Sequence, residues 1–158
     1  MTKIKTKLTT RAATWIGALM LAATALPIGA QTQAQPRLQT VNLVAGMYNI
    51  QAELAISPQE QMTGMMFRRE MAPHEGMLFV GDDAQQRCFW MHNTYLPLTA
   101  AFIADDGTIV NLADMQPRSD ESHCSTKPVR FVLEMNQGWF AKRGIKAGFR
   151  LRGAPFTE

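Results

Sequence analysis

The stretch from Cys88 to Met115, CFWMHNTYLPLTAAFIADDGTIVNLADM, narrows the folds open to this chain more than any other. Leu98 to Ile103 is apolar or Thr throughout, and Thr108 to Met115 is the returning run. Between them, Asp105-Asp106-Gly107 is a hairpin signal, because Gly accepts the positive φ of a tight turn. Upstream, Phe89-Trp90-Met91 is apolar on both alternating faces, which predicts a strand covered on both sides. Asn93-Thr94 breaks that apolar character before the hairpin begins.

The rest of the chain extends the same pattern. Leu38–Val44 predicts a strand after a flexible start at Gln35–Gln39, and Gly46 a turn. Along Tyr48–Ile56, Ile50, Ala52 and Leu54 alternate with Asn49, Gln51 and Glu53, as in a strand with one wet face. Ser57-Pro58-Gln59-Glu60 is a capping box with Pro in the first turn, opening a helix that should reach Met65 or Arg69. Met77–Val80 and Val129–Met135 predict further strands, separated by the central stretch and a polar loop over Pro117–Pro128. Asn136 is positioned to cap a second short helix ending at Gly144, and Gly148–Arg152 predicts a last strand. Seven or eight short strands with two short helices predict a mainly β domain, a sandwich, jelly roll or closed barrel. The alternating βαβ order of a doubly wound sheet is absent.

Residues 1–34 predict a secretory signal peptide: Lys3, Lys5, Lys7 and Arg11, then an apolar run from Ala12 to Leu26, then Pro27 and small residues. Cleavage would leave a chain starting at Gln35 or Gln31. The alternative is an uncleaved anchor, but the apolar run of about 15 residues falls short of the ~20 that span a bilayer. The remaining parts are an extension and first strand at 35–46, the β domain at 47–153 and a tail at 154–158. The chain has 16 Lys and Arg against 13 Asp and Glu, and residues 1–34 hold four of the basic and none of the acidic ones. The exported part therefore carries 12 against 13, a net −1. That balance offers no basic patch for nucleic acid, and no later run is long enough to span a membrane. Cys88 and Cys124 both lie in the exported part, where two cysteines predict one disulfide, two buried thiols being the alternative.

Several motifs recur in a fixed order: GMMFR (Gly64–Arg68), GMLFV (Gly76–Val80), FWMHNT (Phe89–Thr94), Pro97-Leu98, Asp106-Gly107, LEM (Leu133–Met135) and Gly138-Trp139. In this the chain, over about residues 47–152, resembles the bacterial and archaeal family known as domain of unknown function 192. The resemblance implies a compact, mainly β domain of sandwich or jelly-roll type, and no activity. The family commonly has an acidic residue after Pro-Leu, where this chain has Thr99.

The chemistry legible in the sequence is sparse. No nucleotide-binding, zinc-protease or serine-hydrolase motif is present, and nothing implies a cofactor. Nine methionines fall outside the leader. Met62, Met66, Met77 and Met91, with His92, make up a conceivable soft-metal set for Cu(I). The competing expectation, that Met62, Met66 and Met77 fill the core against Phe67, Phe79 and Trp90, is the stronger. Arg68, Trp90, Asn93, Thr94, Ser125 and Glu134 are the polar and aromatic positions in or beside the motifs. Leu133 and Met135 should face the core, so alternation turns Glu134 to the other side. The expected arrangement pairs Glu134 with Arg68 and places Asn93 beside Trp90. This predicts a binding or accessory module of the cell envelope, taking a small ligand or an envelope partner. Cu(I) binding is the alternative, and a hydrolase with Glu134 as acid/base is third.

Overall fold

The computed structural model describes residues 32–156, so the leader assigned to residues 1–34 lies almost entirely outside the described residues. The alternating run that follows folds as an antiparallel pair, β1 (Thr40–Ala45) and β2 (Tyr48–Ala55), turning at Gly46. The approach to β1 is not a flexible start. The Gln35 amide donates to the Glu60 and Gly64 carbonyls, and Arg37 and the Leu38 N–H both donate to the Glu53 carboxylate.

The capping box forms as its residues dictate: the Glu60 N–H donates to Ser57 Oγ, and the Glu60 carboxylate accepts from the Ser57 N–H. The helix α1 (Pro58–Thr63) is shorter than its apolar pattern suggests, because Gly64, at φ 47°, ends it. The chain then enters β3 (Glu75–Gln85), longer than the Met77–Val80 core read from hydrophobicity. β3 pairs parallel with β2, so this segment is one βαβ step in an otherwise antiparallel sheet. The capping box predicts the helix between these two strands, but nothing local in the sequence states that they pair in parallel.

The aromatic run is the main departure. Only Cys88–Phe89 is strand (β4), Trp90 is half exposed, and the following residues are loop. The hairpin β5 (Leu98–Ile103) and β6 (Ile109–Met115) forms as the sequence predicts. Within the polar loop, β7 (His123–Cys124) pairs with β4, and a Cys88–Cys124 disulfide joins directly opposed residues. β8 (Val129–Asn136) then inserts between β3 and β5. Asn136 does not cap a helix; its side-chain amide donates to the Met71 and Ala72 carbonyls. The expected second helix is a single 3-10 turn, Ala141–Arg143, stopped by Gly144 in the left-handed region.

The resulting six-stranded mixed sheet has the order β1-β2-β3-β8-β5-β6, with β4-β7 as a separate ribbon. The fold is mainly β and sandwich-like, without a closed barrel. Gly148–Arg152, expected to be a strand, instead makes two isolated bridges, Arg150 to Thr108 and Arg152 to Val44. It is a strap that touches both ends of the strand order, the β5–β6 turn and edge strand β1. Two glycines permit its approach. A Cβ at Gly107 (φ 84°) would meet the Leu151 carbonyl, and one at Gly153 (φ 106°) the Asn42 carbonyl.

Each sheet face buries its own apolar layer. Leu43, Ile50, Leu78, Phe131, Leu133 and Leu151 belong to one, with Trp139 and Phe140 closing it. Met77, Phe79, Leu98, Phe102, Met115 and Val132 belong to the other, covered by Met65 and Met91. Leu133 and Met135 face the first layer, so Glu134 faces the second, as alternation requires.

Candidate functional site

On that second face the registers align Glu53 (β2), Met77 (β3), Glu134 (β8) and Ala100 (β5) in one row across the sheet. The two carboxylates stand two strands apart, roughly 10 Å at the backbone. The segment after α1 divides between them. Phe67 takes a left-handed φ of 63°, and its N–H donates to the Asn93 carbonyl. Met65 and Met66 thus lie toward Glu134, while Arg68 turns over β2.

Arg68 therefore pairs with Glu53 and not with Glu134, which corrects the arrangement expected from the sequence. Its Nη1 and Nη2 lie 2.6 and 2.7 Å from the two Glu53 oxygens, and both side chains are buried. Burial alone would push the Glu53 carboxyl up. Hydrogen bonds from Arg68, the Leu38 N–H and Arg37 outweigh that and hold it at about 2. Sequence reading missed Glu53 because Ile50 and Ala52 fix one buried face and leave Glu53 nominally wet. The signal against this was Ala55, an apolar residue two places on and on the same side.

Glu134 is buried and stands without an ion-pair or hydrogen-bond partner among the described residues. Burial pushes its carboxyl up to about 8, so it is a neutral acid at neutral pH. It borders a cavity of about 40 Å³ with Met62, Met65, Met66, Trp90 and Thr94. That is room for a few waters or one small group. Gln61, Met62, Met66, Phe89 and Trp90 also line an adjoining groove of about 400 Å³ that continues to Arg87 and Cys88. The groove lies between the end of α1 and the disulfide ribbon.

Three of the six expected site residues, Trp90, Thr94 and Glu134, thus meet at one cavity. The other three are elsewhere. Asn93 adopts a left-handed φ of 53° and serves the loop through its carbonyl. Ser125 is buried at the ribbon, where its Oγ accepts from the Arg87 N–H. Arg68 belongs to the Glu53 pair. Thr94 Oγ1 donates to the His92 carbonyl.

The methionines divide similarly. Met77 and Met91 are fully buried core residues, as expected for packing. Met62, expected to be buried, is 69% exposed, and Met66 is only half buried. Gly64 ends α1 before the Met62–Met66 face can close against the sheet. His92 stacks on Trp90 with ring centroids 5.0 Å apart, and its Nδ1 lies 2.7 Å from Asp120 Oδ1. Thr99 sits on the opposite sheet face, where its hydroxyl donates to Asp114 and accepts from the Gly138 N–H. A carboxylate stands beside this position, on β6, but it does not approach Glu134.

The solved structures similar to this chain include two bacterial proteins. One is a protein from Sinorhizobium meliloti 1021, described provisionally as a transcription regulator. It is 40% identical, covering 73% of this chain and 92% of that one, with a TM-score of 0.68. The other, a protein of unknown function from Novosphingobium aromaticivorans DSM 12444, is 35% identical over 73% of this chain and 86% of that one, with a TM-score of 0.70. No curated protein matches the chain. The family signature described as an uncharacterized ACR, DUF192, matches residues 40–153. The chain belongs to the DUF192 family.

Proposed function

We propose that this protein is an exported ligand-binding module of the cell envelope, with its site at the Glu134 cavity and the groove beside Trp90. The observation that carries the reading is the Glu134 carboxyl. An unpaired, buried polar group costs folding free energy, and such groups concentrate where a ligand compensates them. The leader-like N-terminus and the disulfide support export. Regulation of transcription, the description attached to the Sinorhizobium protein, would need a face for phosphate contacts. The net −1 of residues 35–158 gives little support for one. Binding is favoured over hydrolysis because Glu134 is the one titratable group among the cavity's lining residues.

Glu134→Leu tests the reading. Native mass spectrometry of protein purified from its own envelope should show a bound species that the variant lacks, while the variant melts at a higher temperature. A bound species retained by the variant, or a variant that loses stability, would overturn the site assignment.

A further inference from the structure

Resting on that reading of the site, we propose that its cargo is a soft monovalent cation, copper(I) or silver(I), held by Met62, Met65 and Met66 beside Trp90 with Glu134 as counter-charge. Three methionines line one cavity of about 40 Å³, and Glu134 lines it too. Thioether sulfur is a soft donor that selects Cu(I) over hard divalent ions. Among the described residues no cluster of three His, Cys, Asp or Glu side chains offers the harder ligand set. An indole at the site adds attraction for a cation through its π face.

Packing does not account for Met62. A methionine that only fills the core would be covered, yet this one is 69% exposed at the junction of the cavity and the groove. Met65 is 2% exposed and Met66 is half buried, so the three methionines run from buried to exposed.

Charge completes the argument. Three neutral thioethers alone would leave the charge of a cation uncompensated beside buried apolar side chains. Glu134, the carboxyl that lines the same cavity, is placed to offset that charge. No other charged group among the described residues lines the cavity. Met77 and Ala100 flank Glu134 on β3 and β5 and are uncharged. The covering segment contributes Gln61, Thr63 and Thr94, also uncharged. Glu53 is neutralised by Arg68 two strands away, Arg87 at the groove is tied to Asp83, and His92 is tied to Asp120 outside the cavity.

The test is an anaerobic titration of the disulfide-intact protein, residues 35–158, with Cu(I) in ascorbate against bicinchoninate. Silver(I) serves as the redox-inert probe, read by native mass spectrometry and by methionine methyl NMR. One equivalent should bind, shifting the Met62, Met65 and Met66 methyls and leaving Met77 and Met91 in place. Glu134→Gln should weaken binding by roughly tenfold or more. Met62→Leu/Met66→Leu should weaken binding by roughly a hundredfold or more with little change in melting temperature, since neither side chain is fully buried. No binding at micromolar metal, or binding that survives the double substitution, overturns the proposal. If the metal fails while another bound species is still lost in Glu134→Leu, the cargo is wrong and the site stands.

Discussion

Two glutamates on one sheet face carry opposite consequences for stability. Glu53 is held at about 2, below its ordinary value of 4.5. Its contribution is complete above pH 4.5 and is lost as pH falls toward 2. Glu134 is raised to about 8, so between pH 4.5 and 8 the folded chain holds a proton that the unfolded chain has released. Stability therefore falls as pH rises through that window, by up to about 4 kcal/mol. Urea unfolding from pH 3 to 8 should place the optimum near pH 5, and Glu134→Gln should flatten the limb above it while leaving the acid limb. Arg68→Met should cost about 3–5 kcal/mol in the same assay, because Glu53 would stay buried with only the exposed Arg37 and one N–H. At this scale the sequence yields sides better than partners. Alternation set the face of Glu134 from Leu133 and Met135. The partner of Arg68 depended on the left-handed turn at Phe67, and a bulky residue gives no notice of that conformation.

Among the elements, the β4–β7 ribbon depends most on a single bond. Two residues per strand cannot hold a ribbon by backbone pairing alone. The Cys88–Cys124 bridge, 36 residues apart, holds it beside the groove. Replacing both cysteines with Ala should cost about 4 kcal/mol in the chain-entropy view, read as a lower urea midpoint. It should also broaden the Trp90 indole resonance as the ribbon loosens. The hairpin β5–β6 and the capping box of α1 were legible because turn and cap chemistry is local. The Phe89–Met91 run was not, because an apolar triplet can be a buried strand or an aromatic rim, and only the position of Cys124 decides between them. The parallel β2–β3 pairing was not legible, because the capping box announces the helix and says nothing of how the flanking strands pair.

For the molecule as a whole, the mainly β class followed from the spacing of strands and turns, but the way the sheet is finished did not. Arg150 and Arg152 form only isolated bridges, so the strap they belong to reads in sequence as an ordinary last strand. Deleting residues 148–158 should leave the β5–β6 turn and β1 uncovered and remove Leu151 from the core. Size-exclusion chromatography should then show oligomers or aggregate where the full chain elutes as a smaller species, since open edges recruit further strands. Gly153→Ala should reproduce this in milder form by pushing the strap off Asn42. The strap follows every strand it secures in chain order. A polypeptide emerging N-terminus first, from a ribosome or through a translocation channel, therefore has all eight strands available before the segment that locks them arrives. Completion of the native state waits for residues 148–153, and until they arrive the chain can still be threaded.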